Sequence, residues 1–235
     1  MTKLNYQLIV LSGAGMSAES GISTFRDSNG MWKQFDITKV ASVSGWQENP
    51  TLVHEFYNLR RRQLSEVTPN TGHLLLAALE EKIPVQIITQ NVDDLHERAG
   101  STRVIHLHGE LRKVRSTGNP SYIADWEGDL TLDDRCPQGY PLRPHIVWFG
   151  EEVPKMGSAM AAMKHATHVF IIGTSLQVDP AAGLISYAPK DAAVWYIDPN
   201  PAVSPELAIR ENLTILPTSA TAGVADAMAQ LLASI

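Results

Sequence analysis

A chain of 235 residues is long enough for one full domain, or for one domain carrying a smaller inserted module. Hydrophobic residues make up 44% and charged residues 19%, with 16 Gly and 14 Pro, which excludes a disordered or collagen-like chain. The formal net charge of −6 argues against a nucleic-acid partner, and the single cysteine, Cys136, excludes an intrachain disulfide and an all-thiolate metal site.

The first apolar run (YQLIVLS, 6–12) is too short for a signal h-region or a membrane span, so a cytoplasmic protein without membrane contact is expected. It is rich in β-formers and ends in GAGMSAESG, the pattern of a buried parallel strand feeding a glycine turn and a helix. Residues 36–68 read as helical, with a helix starting near Asn49-Pro50 and ending before Thr68-Pro69; a second helix follows over 71–82. Apolar strand runs recur at VQIITQN (85–91), HVFIIGTS (168–175) and AVWYID (193–198), and helices are predicted over 155–166 and 222–235. Residues 112–145 are polar and rich in Gly and Pro, as a small β module with a core of Tyr122, Trp126, Leu130 and Tyr140 would be. Strands alternating with helices predict an α/β fold, a doubly wound, Rossmann-like parallel sheet. That sheet is assigned to residues 1–35, 69–111 and 146–235, and a smaller domain to the helical insertion 36–68 and the module 112–145. Ligands of such sheets sit at the carboxyl ends of strands, where GAG, TQN and GTS all fall.

Four groupings carry chemistry. Gly13, Ala14 and Gly15 would let backbone amides approach a phosphate at a helix N-terminus, with Phe25 and Arg26 adding a ring and a cation; tight turning alone is an equal alternative. Gln90, Asn91 and Asp93 after a strand can bracket sugar hydroxyls and a carboxamide, or simply cap a helix. In VIHLHGEL (104–111), period-2 alternation puts His106 and His108 on one face; a neutral histidine suits general-base work, although a lone histidine is more often structural. On the helix from Pro50, spacing of about 100° per residue places Arg60 inside an apolar stripe and turns Arg61 and Arg62 away from it. Tyr57 borders the same face, so a phenol and a guanidinium could converge on one carboxylate, or Arg60 could pair internally.

Taken together, GAGMSAESGISTFRD (13–27), TQNVDDLHERAG (89–100), LHG (107–109), VWFGE (147–151) and GTSLQVDPAA (173–182) resemble a sirtuin in order and spacing, over nearly the whole chain. The resemblance implies an NAD-dependent protein deacylase that consumes NAD as co-substrate and acts on acylated lysines of proteins. It implies an NAD site of Gly13, Ala14, Gly15, Phe25, Arg26, Gln90, Asn91, Asp93, Gly173, Thr174 and Ser175, with Asp198 and Ala220 at the adenosine end. It implies catalysis by His108 with Asn91 and Asp93, His106 being a structural neighbour, and a substrate strand beside VWFGE whose lysine N–H meets the Val147 carbonyl. Ala41, Tyr57 and Arg60 match the pattern A-x15-Y-x2-R of sirtuins that remove succinyl, malonyl or glutaryl groups, so acidic acyl chains are expected to be preferred, with acetyl still accepted.

Two departures bear on this. Where the family carries two C-x2-C pairs for structural zinc, this chain has Ser116, Asn119, Cys136 and Gly139, so a module without zinc is expected, and no other metal. Asp198 stands where Asn is usual, and Thr218 where Gly is common. ADP-ribosyl transfer to other nucleophiles, or NAD sensing with weak catalysis, are the alternative readings; a monomer is expected.

Overall fold

The computed structural model describes residues 6–22, 35–176 and 181–235. Six parallel strands form the main sheet: β1 (Leu8–Ser12), β2 (Val85–Thr89), β3 (Val104–His106), β7 (His168–Ile172), β8 (Ala193–Ile197) and β9 (Leu213–Leu216), in the order β3-β2-β1-β7-β8-β9. The strand at 213–216, at one edge, was not foreseen from sequence. β1 is buried along its whole length because both faces are covered. Ile9 and Leu11 pack with Ala159 and Met163 of a helix over Met156–Met163, and with Leu184 and Ile185 of a 3-10 helix over Ala181–Tyr187. Leu8 and Val10 face the other way, toward Leu76 and Leu79 of the helix Thr71–Leu79 and Val224, Ala227 and Leu231 of the helix Ala220–Ser234. The alternation within one strand thus explains the two helical layers.

The chain leaves β1 toward β2 on one side, and β7 occupies the other, so the strand order reverses between β1 and β7. There the carboxyl ends touch through backbone alone. The Gly15 amide donates to the Gly173 carbonyl at 2.8 Å, and a Cβ on Gly15 would lie 2.6 Å from the Gly173 Cα.

Helices α1 (Ala14–Ala18), α2 (Ile37–Val40) and α3 (Val43–Glu48) precede the 17-residue α4 (Pro50–Glu66), whose first turn is capped by the Asn49 carboxamide accepting the Leu52 amide. Val53, Phe56, Tyr57 and Leu64 of α4 are buried with Val92, Leu111, Ile146 and Trp148. The opposite face is covered too, which corrects the simple amphipathic picture. Arg61 does turn from the apolar stripe, yet it is 1% exposed, because the antiparallel sheet of β4 (Gly109–Ser116), β5 (Ile123–Asp125) and β6 (Leu142–Ile146) packs there. Its guanidinium donates to the carbonyls of Leu111 (3.0 Å) and Gly128 (3.1 Å) and to the Asn58 side chain (2.8 Å), while Asn58 exchanges two hydrogen bonds with the Leu130 backbone. The small sheet starts at Gly109 rather than at 112, since Gly109 takes φ +84° and its Cα hydrogen faces the His145 carbonyl, 2.0 Å from where a Cβ would sit. Its core is Val114, Leu130, Cys136 and Leu142, edged by Tyr122 and Trp126; Tyr140, expected in that core, is 47% exposed with its ring lying over Gly118.

Arg61 is therefore a buried cation that ties α4 to two backbone carbonyls of the small-sheet region and to Asn58. Arg61→Ala is expected to lower the unfolding free energy by about 3 kcal/mol in urea titration; a change under about 0.5 kcal/mol, the size of an ordinary surface substitution, would contradict this placement.

Candidate active site

The glycine turn after β1 is built for close packing before it is built for a ligand. The Gly13 and Gly15 amides are already used, on the Ile172 and Gly173 carbonyls, and Cβ atoms on either glycine would collide with Gly173 and, for Gly13, also with Thr174. Ala14 opens a short helix over Ala14–Ala18 between them. Phe25 and Arg26 lie outside the described residues.

Directly opposite, the tail of β2 is tied into this turn. Gln90 donates its side-chain amide to the Thr174 hydroxyl at 3.1 Å, and its backbone amide to the Ser12 carbonyl at 2.9 Å. Asn91, buried, donates its carboxamide to the Gly13 carbonyl (3.0 Å) and to the Ser17 hydroxyl (3.1 Å), and Ser17 donates onward to Asp93 (3.0 Å). Asp93 also accepts the Leu95 amide at 3.2 Å, from the residue before the N-cap Asp94 of the helix Leu95–Arg98, so its carboxylate serves the helix start as well as Ser17. Burial pushes its carboxyl pKa up against the Leu95 and Ser17 hydrogen bonds and the charges of His106 and Arg60. Ser17 is the link that sequence reasoning missed, although it sits inside the GAGMS motif.

His108 lies in the turn from β3 into β4, so the two histidines are not on one continuous strand. Its Nδ1 is 3.0 Å from the Gln90 carbonyl, which can only accept; Nδ1 therefore carries the proton and Nε2 keeps its lone pair. Burial lowers its pKa, partly offset by the Gln90 bond, so the ring is a neutral base. The Val147 amide donates to the His108 carbonyl at 2.9 Å, which fixes the 147–151 segment beside that base.

The next residues of that segment reach the helical insertion. Phe149 donates its amide to the Ala41 carbonyl at 2.9 Å, and the Trp148 indole N–H donates to the Tyr57 hydroxyl at 3.1 Å. Burial raises the Tyr57 pKa to about 12, so the phenol stays protonated; with its lone pair engaged by Trp148, its own O–H is left to donate. Arg60 is partly buried beside Phe56, 5.6 Å from the ring centroid, and burial lowers its pKa against the charges of Tyr57 and Asp93. Trp148 is itself clamped. Arg143 lies 3.4 Å over its ring and grips Glu151 at 2.8 and 3.0 Å, and Glu151 accepts the Trp148 amide at 2.8 Å. Glu151 stands within the VWFGE motif, but nothing in its spacing pointed to Arg143.

On the other side of the crevice, Thr174 is buried and Ser175 partly so, and the Thr174 carbonyl accepts the Tyr196 hydroxyl at 2.9 Å. Asp198, buried after β8, accepts the Asn200 amide at 2.8 Å, and Ala220 opens the last helix, two residues beyond Thr218.

The four positions where the resemblance implies a zinc site lie around one turn of the small module. Ser116 donates to the Cys136 sulfur at 3.3 Å while its oxygen accepts the Gly118 and Asn119 amides; Gly139 has no side chain, and its amide is bonded to the Cys136 carbonyl at 2.8 Å. A hydroxyl, an amide and one thiol do not fit a tetrahedral zinc ion. Among the described residues, no three His, Cys, Asp or Glu side chains gather as a metal site.

The comparisons with known proteins agree with this geometry. Residues 13–180 match the model of the Sir2 family. A protein of Helicobacter pylori (strain ATCC 700392 / 26695) named NAD-dependent protein deacylase is 52% identical over 225 residues, covering 96% of this chain and 97% of its own. A Bacteroides thetaiotaomicron protein of the same name is 54% identical over 200 residues, covering 83% and 86%. The crystal structure of a Sir2 homologue in complex with NAD superposes with a TM-score of 0.84 at 34% identity, covering 97% of this chain and 90% of that one. With family match, relatives and architecture in agreement, the chain belongs to the Sir2 family.

Proposed function

We propose that this protein is an NAD-dependent protein-lysine deacylase that prefers succinyl and malonyl groups and also accepts acetyl, yielding free lysine, nicotinamide and O-acyl-ADP-ribose. The observation that carries the reading is the Val147–His108 backbone bond, which holds the extended 147–149 segment next to a neutral imidazole at the crevice between β1 and β7. NAD lies across that crevice, with Gly13, Ala14, Gly15 and the 173–175 turn along its phosphates and Asp198 and Ala220 at its adenosine end. Gln90, Asn91 and Asp93 face its nicotinamide and ribose. The acyl-lysine enters beside Val147, whose carbonyl accepts the lysine N–H. The acyl carbonyl oxygen attacks C1′ of the ribose, and nicotinamide leaves with the bonding electron pair, forming an O-alkylimidate. His108 Nε2 then takes the proton of a ribose hydroxyl, whose oxygen attacks the imidate carbon; water completes the release of lysine and O-acyl-ADP-ribose.

The acyl preference rests on three side chains at one end of this path. Ala41 leaves room, Tyr57 has an O–H free to donate, and Arg60 supplies the charge that a carboxylate needs in a partly buried place. The small module folds without zinc, its Ser116–Cys136 contact and backbone turns taking the ion's place.

His108→Ala is expected to cut turnover by about a thousandfold while nicotinamide release into the imidate persists; unchanged turnover would contradict the base assignment. In the wild type, the acid limb of kcat/KM should lie below the ordinary histidine value of 6.5, because the lowered pKa keeps His108 neutral further into acid. A limb above 6.5 would count against it. Arg60→Met should reduce desuccinylation by about 10- to 100-fold and deacetylation little; equal losses would sink the acidic-acyl reading. Metal analysis of purified protein should find zinc far below one equivalent, and a stoichiometric amount would overturn the zinc-free module.

A further inference from the structure

The surroundings of His106 are unlike those of His108. The ring closes β3 with a side chain only 8% exposed. Nδ1 lies 3.0 Å from the Asn91 carbonyl and Nε2 2.7 Å from a Glu97 carboxylate oxygen. Both partners are acceptors, and a neutral imidazole has one N–H, so one lone pair would be pressed against an oxygen. With Glu97 ionised, only the imidazolium satisfies both contacts. Burial disfavours that cation, but the hydrogen bond and charge of Glu97, together with the Asn91 carbonyl, outweigh it and raise the His106 pKa, while that of Glu97 is lowered against its own burial. Two histidines two residues apart thus bond neighbouring carbonyls in opposite states, one cationic and one neutral.

The carbonyl that His106 holds belongs to Asn91, whose side chain reaches the Gly13 carbonyl and Ser17, and through Ser17 meets Asp93. The segment 90–93 is therefore gripped from the crevice side by the β1 turn and from behind by His106. We propose that His106, held as an imidazolium by Glu97, is a positioning residue that sets the Asn91–Asp93 segment for the nicotinamide and ribose of NAD. This rests on the NAD site argued above. The charges facing the ring do not change its state: Asp93 in the loop, Asp94 beside it paired with Arg112 of β4, Glu97 beside a neutral His96 on the helix Leu95–Arg98, Glu110 paired with Lys113 on β4, and Asp125 on β5. The carboxylates favour the cation.

The sign follows from the raised pKa. The imidazolium is present below the folded value and lost above it, so NAD affinity should fall as pH rises past a point above the ordinary histidine value. The test is NAD affinity by calorimetry from pH 6 to 9.5 in the wild type, Glu97→Gln and His106→Asn, with histidine nitrogen NMR of the wild type at pH 7. Both His106 nitrogens should be protonated at pH 7. Glu97→Gln should move the alkaline loss of affinity to lower pH, and His106→Asn should abolish that limb and weaken NAD about tenfold, with the KM for acyl peptide unchanged. A neutral His106 in the NMR spectrum overturns the proposal without any variant, as does an alkaline limb that Glu97→Gln leaves in place. A uniform loss in the NAD and peptide parameters also counts against it, since a merely structural role would produce that. Binding of NAD without turnover on any acyl peptide would refute the deacylase reading while leaving this proposal tested by affinity.

Discussion

The constraint on which the rest depends is the side-chain-free contact between the ends of β1 and β7. The Gly15 amide bonds the Gly173 carbonyl, and neither residue can carry a Cβ without striking backbone. From this contact a succession of hydrogen bonds runs outward. Asn91 bonds Gly13, Gln90 bonds Thr174, His108 bonds the Gln90 carbonyl, Val147 bonds the His108 carbonyl, and the two residues after Val147 bond Tyr57 and Ala41. Tyr57 and Ala41 are thereby registered against the main sheet through the 147–149 segment, and each interaction is a directional bond of ordinary length.

Electrostatics divides the site in the same way. The buried Asp93 faces two cations, Arg60 and His106, which limit the rise of its pKa. Among the described residues no carboxylate bonds His108, and burial lowers its pKa, which favours the neutral ring. Arg143 and Arg115 share Glu151, and with Arg143 over its ring and Glu151 accepting its amide, Trp148 is fixed beside Tyr57, where the charges of Arg143 and Glu151 are both felt.

Much of the sheet could be read from sequence, since YQLIVLS, VQIITQN, HVFIIGTS and AVWYID are continuous apolar runs that only a doubly covered parallel strand requires. The last strand, Leu213–Leu216, was missed because it is an edge strand that is only half-buried and mixes Thr with apolar residues. The site's linear motifs were visible, but their couplings were not. Ser17 to Asn91, Trp148 to Tyr57 and Glu151 to Arg143 join residues whose separation in sequence carries no periodic signal. Arg61 shows the same limit: helical spacing turned it from the stripe correctly, and only the docking of the small sheet reveals that this side is buried as well. His106 and His108 looked equivalent by alternation; the difference between them lies in Glu97, a turn away on another element.

The most direct measurement of the central claim is the product balance with a succinyl-lysine peptide and NAD, followed by mass spectrometry and nicotinamide release. One nicotinamide and one O-succinyl-ADP-ribose should appear for every free lysine formed. Nicotinamide release accompanied by free ADP-ribose or by ADP-ribosylated protein, with the acyl-lysine intact, would contradict it.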